Sequence, residues 1–351
     1  MKKIAIISHG LSGGGAERVA SLVANNLSDN GYNVLYIAVY SSEKEYKLSD
    51  NIKYEYIKTD SKNKYLRLIE RSYKIDKLLK SFNPHVAVSF IINETLISNI
   101  CKRVPIIYTL RNDPYSHIKG FVNVFLCKFL YKRSARVIFQ TNGAKKYFSE
   151  KIQNKGVIIP NPLSDNLPYW NKDNHNKTII TACRLTAQKN IPMLINAFAQ
   201  FHNDHTDYEL CIYGKGELLS ELELLCKSLN IEDCVRFPGY SNNIYKIMSE
   251  SAIFALTSNF EGLSNSMLEA LAIGIPTIVT DCPPGGAAQF VENNVNGFLI
   301  PLNDTDMLTK CFCTLAENPD RANSFSDKSI EIRSRLDQNC ILEEWRNAIE
   351  I

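Results

Sequence analysis

The chain has 351 residues, 45% apolar and 22% charged, with a net charge of +3. That composition excludes a disordered or fibrous chain, and the length suits two domains better than one. Ten scattered cysteines include no CxxC pair and several in apolar contexts such as TACRL and ELCIYG, which fits reduced, packing thiols rather than a disulfide framework.

No apolar run approaches the ~18 residues of a membrane helix. The basic start of MKKIAIISHG precedes only four apolar residues, 4–7, too few for a signal peptide, so a cytoplasmic location is expected. Charge is unevenly placed. Residues 1–163 carry 26 Lys and Arg against 12 Asp and Glu, net +14, and residues 164–351 carry 14 against 25, net −11. A basic half seeks phosphate, in nucleic acid, in anionic headgroups or in a phosphorylated substrate.

In chain order, KIAIIS reads as a strand, ERVASLVANNL as a helix and NVLYIAVY as a strand. A polar excursion leads to IDKLLKSF, HVAVSF, TLISNICKR, PIIYTL, FLCKFLYKRS, RVIFQ and GVIIP. The apolar runs are β-branched and uninterrupted, as in parallel strands buried on both faces, and their alternation with helices predicts a doubly wound α/β sheet. After Asn161-Pro162-Leu163 and a polar stretch, a second alternation starts. TIITACRL, YELCIYG, VRFPG, AIFALTS, PTIVT and GFLIP read as strands. NIPMLINAFAQFH, ELLSELELLCKSLN, NNIYKIMSES and SMLEALAIG read as the helices between them. The expected architecture is two Rossmann-like domains, 1–163 and 164–325, facing across a cleft. A C-terminal helical segment, 326–351, with Trp345 near its end, would cross back to the first domain.

Five stretches carry chemistry. In LSGGGAERVASL, Gly13, Gly14 and Gly15 run into a helix whose first turn holds Ala16, Glu17 and Arg18. Glycine lets backbone approach a ligand and a helix start favours an anion, though a plain tight turn explains the same letters. In CRLTAQKN, Arg184 and Lys189 stand at a strand's carboxyl end, where open sheets line their ligand crevice, and two cations there suit a diphosphate. IYGKGE with Gly214, and FPGY with Pro238 and Gly239, add loops at the same edge that could hold a base. In SNFEGLSNSMLEALAIGIP, Glu261 precedes a helix capped by serine or asparagine and Glu269 lies inside it. Carboxylates accept from vicinal hydroxyls, and no Lys or Arg between 247 and 309 offers them a local ion pair. DCPPGGAAQF, with Gly285 and Gly286, predicts a rigid loop ending near a helix N-terminus, a second cradle for phosphate or sugar. His202 and His205 lie three apart in FHNDHTDYE with no third ligand in view, so no metal is expected.

These residues resemble glycosyltransferase family 4. The signature is Glu-x₇-Glu, here Glu261 and Glu269, supported by Arg184 and Lys189, the IYGKGE and FPGY turns, VNGFLIP and the opening GGGAER. The resemblance spans nearly the whole chain and is strongest between 178 and 301. It implies the GT-B arrangement and metal-independent, retaining transfer of a hexose or N-acetylhexosamine from a nucleotide sugar, UDP-linked by preference. Glu269 would bind ribose, Arg184 and Lys189 the diphosphate, and Glu261 the transferred sugar. The 283–286 loop would touch sugar or phosphate. Gly14, Gly15, Gly214, Pro238, Gly239, Gly262, Leu263 and Ser264 complete the implied nucleotide-sugar site. No cofactor is needed beyond that substrate.

One departure concerns the N-domain histidine of many members. Here the rim reads IIYTLRNDP, with Arg111, Asn112 and Asp113. Arg111 could bind sugar or phosphate, or equally pair with Asp113. The acceptor, a saccharide free or linked to a lipid diphosphate, is expected on the basic domain. Residues 118–136 interleave Phe121, Phe125 and Phe129 with Lys128, Lys132, Arg133 and Arg136, and residues 65–82 space Arg67, Arg71, Lys74 and Lys77 along one helical face. Such helices suit an anionic membrane surface on the cytoplasmic face of the inner membrane, as in bacterial surface-polysaccharide (capsule or O-antigen) assembly. A nicotinamide enzyme would need G-x-G-x-x-G and a ribose acid, both missing. A nucleic-acid binder would leave Glu-x₇-Glu without purpose, and no nucleic-acid partner is expected. A GT-B sugar-nucleotide epimerase or phosphorylase is the alternative reading.

Overall fold

The computed structural model describes residues 1–12, 14–92, 95, 102–118 and 120–350. Gly13, Cys101 and most of TLISNICKR lie outside the described residues, as does the side chain of Phe121. The chain divides into two compact units, Met1–Pro162 with Gln338–Ile351, and Leu163–Asp337.

The first unit holds seven parallel strands: β1 (Lys3–Ser8), β2 (Asn33–Ala38), β3 (Lys53–Tyr56), β4 (Val86–Ser89), β5 (Ile106–Leu110), β6 (Arg136–Phe139) and β7 (Gly156–Ile158). Their order is β3-β2-β1-β4-β5-β6-β7. The second unit holds β8 (Asn176–Ala182), β9 (Glu209–Tyr213), β10 (Val235–Gly239), β11 (Ser251–Leu256), β12 (Thr277–Thr280) and β13 (Phe298–Ile300), ordered β10-β9-β8-β11-β12-β13. Both are Rossmann-like windings. The direction of winding reverses between β1 and β4 in one sheet and between β8 and β11 in the other. Ligands of open α/β sheets bind beyond the strand carboxyl ends at such a reversal.

The strands form where the apolar runs predicted them. Residues of β5 and β11 are buried throughout, the signature of a sheet covered on both faces. The exception is β3, whose KYEY lies half in water at the sheet edge. It pairs with β2 through its backbone, so neither apolar period nor β-branching marks it in the sequence.

The C-terminal helix Gln338–Ile349 belongs to the first unit. Its Trp345 is fully buried and stacks on Phe90 with ring centroids 5.6 Å apart. Arg136 donates to the Ala348 carbonyl at 2.6 Å and Arg346 to Asn30 Oδ1 at 2.6 Å. Residues 326–337 stay with the second unit, whereas the returning segment was expected from 326. Arg333 ties them there by donating to the carbonyls of Ala272 and Pro168, each at 2.6 Å.

Candidate active site

The sequence-predicted residues of the second unit gather at the β8/β11 reversal. Beyond β8, residues 183–190 turn back through a single 3₁₀ turn, Ala187–Lys189, and Asn190 takes a left-handed conformation before the helix Ile191–His202. Beyond β11, residues 257–264 lead to the helix Asn265–Ile273, whose Ser264 Oγ accepts from the Met267 amide at 3.5 Å. Gly274 ends that helix at φ +89, where a Cβ would lie 2.8 Å from Ser326 Oγ, so both conformation and space require glycine.

These two loops are bonded to each other. The Asn259 amide donates to the Gln188 carbonyl at 2.8 Å, Gln188 Nε2 to the Phe260 carbonyl at 2.9 Å, and Thr257 Oγ1 to the Lys189 carbonyl at 3.0 Å. Within that frame Lys189 Nζ donates to Glu261 Oε2, and Ser258 Oγ lies 3.4 Å from the same oxygen. The Lys189 side chain is 8% exposed and that of Glu261 20%. Glu261 thus finds its cation 72 residues upstream, although its own neighbourhood in sequence has none. Its amide donates to the Pro283 carbonyl at 2.9 Å, bringing the 283–286 loop against it.

Glu269 is 7% exposed. Its Oε1 accepts from the Tyr245 hydroxyl at 2.9 Å and from Ser164 Oγ at 3.1 Å, with 2.7 Å between those two hydroxyls. Ser164 comes from the segment just after the domain boundary and Tyr245 from the helix Ile244–Ser249. Nothing local in either stretch marks these two residues as carboxylate partners. Arg184 is exposed and makes no side-chain hydrogen bond or ion pair among the described residues, so its guanidinium is available to a ligand. A cavity beside Glu261 is lined by Ser258, Ser264, Thr280 and Cys282, with apolar walls from Leu256 and Met267. Burial, with Glu261 nearby, pushes the Cys282 thiol up to about 12 and keeps it neutral. Gly262 and Leu263, in the same loop, are buried.

The glycine turns are explained differently. A Cβ on Gly214, at φ +135, would lie 1.8 Å from the Cys183 carbonyl oxygen, and the Gly214 amide donates to the Gly239 carbonyl at 2.8 Å. Gly214 therefore lets the end of β9 press against the Arg184 loop, while Gly239 is favoured by its φ of +79 alone. Pro238 is exposed beside them. In the 283–286 loop Gly285 sits at φ +82, but the expected helix start is only the 3₁₀ turn Ala287–Gln289 after Gly286. That loop has no helix dipole to offer an anion.

In the first unit Gly14 caps the helix Gly15–Asp29 in extended conformation. A Cβ on Gly14 would meet the Glu17 carboxylate at 2.2 Å, so the helix start already faces a carboxylate of its own chain. Arg111, beyond β5, does not pair with Asp113. Asp113 is buried and caps the short helix Pro114–His117 by accepting from the Ser116 amide at 2.9 Å, while Asn112 Oδ1 accepts from the Asp113 amide at 2.8 Å. Arg111 Nη2 donates to Asn161 Oδ1, which also accepts from Gln140 Nε2 at 2.8 Å. Arg111 is half-buried overall, yet its Nε and Nη1 are out of water without a partner among the described residues. Its guanidinium lies over the Trp345 ring, 5.7 Å from the centroid. Burial first and Arg18 second pull its pKa down to about 9, against Glu17. It stays charged at neutral pH.

The basic helix Lys64–Phe82 is oriented otherwise than expected. Arg71 packs over the Tyr40 ring at 4.1 Å, and Lys74 pairs with Glu70 at 2.6 Å and donates to the Lys58 carbonyl. Arg71 thus turns toward the domain, while Lys74 stays 38% exposed along the helix flank. The outward stripe is instead Tyr65, Ile69 and Tyr73, each at least 60% exposed, with Leu66 beside it and Lys77 and Lys80 beyond. Phe125 is likewise exposed and stacks on Phe129, which Arg133 covers. Among the described residues no helix is long and apolar enough to cross a membrane.

Comparison with known proteins accords with this geometry. Residues 13–166 match the family Glycosyltransferase Family 4, and residues 164–331 match Glycosyl transferases group 1. An uncharacterized glycosyltransferase of Haemophilus influenzae is 28% identical over 99% of this chain and all of its own length. A Campylobacter jejuni N-acetylgalactosamine-N,N'-diacetylbacillosaminyl-diphospho-undecaprenol 4-alpha-N-acetylgalactosaminyltransferase is 26% identical over 94% of each chain. In fold, the chain superposes on Anabaena HepE in complex with UDP and glucose with a TM-score of 0.81 at 18% identity, covering 99% of both chains. The pneumococcal O-GlcNAc transferase GtfA in complex with UDP and GlcNAc gives 0.82 at 15% identity, over 99% of this chain and 98% of that one. The chain belongs to the family 4 glycosyltransferases, with two Rossmann-like domains of the GT-B class.

Proposed function

We propose that the protein transfers a hexose or N-acetylhexosamine, with retention and without a metal, from a UDP-sugar to a saccharide carried on a lipid diphosphate. Such a reaction serves bacterial polysaccharide or glycoconjugate assembly. The observation that carries this reading is the Lys189–Glu261 pair together with the buried Glu269, carried on the segments that follow β8 and β11 at one sheet reversal. Glu269, whose Oε1 is held by two hydroxyls, is the carboxylate that would accept from the vicinal hydroxyls of ribose. Lys189 has three donors and gives one to Glu261, leaving two for diphosphate oxygens. Arg184 adds a planar fork at the same phosphates. Together they stabilise the negative charge that grows on the leaving diphosphate, the task a divalent cation performs elsewhere. Glu261, fixed by Lys189, accepts from hydroxyls of the sugar being moved.

The acceptor side rests on the first unit. The buried, under-bonded Arg111 suits a phosphate or sugar oxygen. The outward Tyr65, Ile69 and Tyr73, with Lys77 and Lys80, suit the interface of an anionic bilayer on the cytoplasmic face, where the lipid-linked acceptor resides. The relative from Campylobacter jejuni is described as acting on a diphospho-undecaprenol-linked saccharide, and the HepE and GtfA structures contain UDP. The test is a thermal-shift screen with UDP-, GDP- and ADP-sugars, followed by mass spectrometry of products with an undecaprenyl-diphosphate saccharide. UDP release only with that acceptor, and a product heavier by one sugar, is expected. Interconversion of the donor without acceptor would instead establish an epimerase.

A further inference from the structure

Far along the sequence from the residues above, three potential ligands meet in the second unit. His205 follows the end of the helix Ile191–His202, and Cys313 and Glu317 stand four apart in the last turns of the helix Thr305–Glu317. We propose that His205 Nε2, Cys313 Sγ and a Glu317 carboxylate oxygen form a binding site for a zinc-class divalent cation. Their ligand atoms all lie within 4.8 Å of one another. The sequence shows no third ligand near His202 and His205 because the two others come from more than a hundred residues downstream.

The orientation of His205 supports a cation here. Its ring stacks on Phe201 at 4.2 Å and 12°, and Nδ1 lies 3.3 Å from the Phe201 carbonyl oxygen. A carbonyl only accepts, so Nδ1 carries a proton and Nε2 faces outward. This is how ligating histidines are commonly held, with the second nitrogen bonded to a backbone carbonyl. Nε2 then points at Glu317 Oε1, 3.3 Å away. A bare lone pair against a carboxylate is repulsive, so a proton or a metal ion must lie between them. The thiol of Cys313 in the same cluster favours the metal, since imidazole, thiolate and carboxylate form a zinc donor set. Bond lengths of about 2.0–2.3 Å at the tetrahedral angle separate zinc ligands by roughly 3.3–3.6 Å. The His205–Glu317 spacing already meets this, and the sulfur, within 4.8 Å of both partners, needs to close by at most about 1.5 Å. On binding, Cys313 loses its proton to solvent and zinc takes the thiolate, with water in the fourth position. His202 is not part of the cluster; its ring packs on Phe198 at 5.3 Å. The ion would staple the ends of two helices, away from Lys189 and Glu261 in the chain, and its role is stability.

The experiment titrates Co²⁺, then Zn²⁺, into the full chain after chelator treatment, with absorption and melting as readouts. One equivalent of Co²⁺ should bind with a near-ultraviolet thiolate charge-transfer band, and Zn²⁺ should displace it and raise the Tm by several degrees. Cys313→Ser and His205→Gln should lose the band, and the exposed Glu317→Gln should weaken binding by at least ~10-fold. Cys340→Ser, at an exposed cysteine outside the cluster, should change none of this. The proposal is overturned if the band survives in Cys313→Ser or if no saturable equivalent binds at micromolar metal. It is equally overturned if Zn²⁺ leaves the Tm unmoved, the behaviour of a simple protonated His205–Glu317 bridge. Because Glu317 lies at the surface, its variant keeps the test valid even if the two others fold poorly.

Discussion

Lys189 Nζ donates to Glu261 Oε2 across 72 residues of sequence, and the loops that carry them are laced together by five further hydrogen bonds. Both groups are largely out of water, so the pair is a shared structural and chemical unit. Removing one partner leaves the other buried and uncompensated. Lys189→Met should cost about 2–3 kcal/mol of stability, reduced from the fully buried case because Glu261 keeps some solvent. The double variant Lys189→Met/Glu261→Gln should recover part of that loss while remaining inactive. Urea unfolding of the four proteins in a double-mutant cycle measures the coupling, and a coupling near zero contradicts the pair's role.

The hydroxyls around Glu269 define a graded series. Tyr245→Phe and Ser164→Ala each remove one bond to Oε1 while leaving the carboxylate in place. Each should weaken UDP binding by about 3–30-fold, the worth of one hydrogen bond to a charged acceptor that orients it. Calorimetric titration of UDP into each variant checks this. Affinity unchanged in both would mean that Oε1 needs no support.

Arg111 is held charged in a poorly solvated place, with two donors unused. Its folded-state pKa, about 9, lies below the ordinary value for arginine. The destabilisation is therefore fully present below pH 9, where both folded and unfolded states carry the proton. It fades only as pH rises above 9 toward the ordinary arginine value. Arg111→Met should thus raise stability by ~1–3 kcal/mol at pH 7, with a smaller gain at pH 10, and lower turnover with the lipid-linked acceptor by at least tenfold. Chemical unfolding at the two pH values, together with the transfer assay, decides. A loss of stability at pH 7 would show that the Asn161 bond outweighs the burial cost.

The outward stripe on the helix Lys64–Phe82 is the membrane-facing element of the account. Ile69→Glu and Tyr73→Glu change exposed side chains only, so melting should shift negligibly, within ~0.5 kcal/mol. Co-sedimentation with vesicles containing anionic lipid should fall several-fold. Equal sedimentation of variant and parent would remove this helix from the interface.

Much of this was legible from letters. Runs such as AIFALTS and PIIYTL announce their strands because a parallel sheet buries both faces of each, and the Glu-x₇-Glu spacing carries the family resemblance. The expected outer cations of Lys64–Phe82 were misplaced because Arg71 and Lys74 have long apolar stems that fold back onto Tyr40 and Glu70. The sequence also left Glu261 without a cation, since Lys189 approaches it only when β8 and β11 become neighbours. Tyr245 and Ser164 were invisible for the same reason. Hydroxyls carry no pattern until a carboxylate stands between them. Close packing against Cys183 by itself demands glycine at 214, a requirement the sequence could not show.

The central claim is that the buried Glu269 and Lys189 hold the nucleotide end of the donor. Titration of UDP into the full chain and into Glu269→Ala and Lys189→Ala, followed by calorimetry, tests it most directly. The account predicts saturable binding to the parent chain and an affinity at least tenfold weaker in each variant, with each still folded by circular dichroism. UDP bound equally by all three proteins would contradict it.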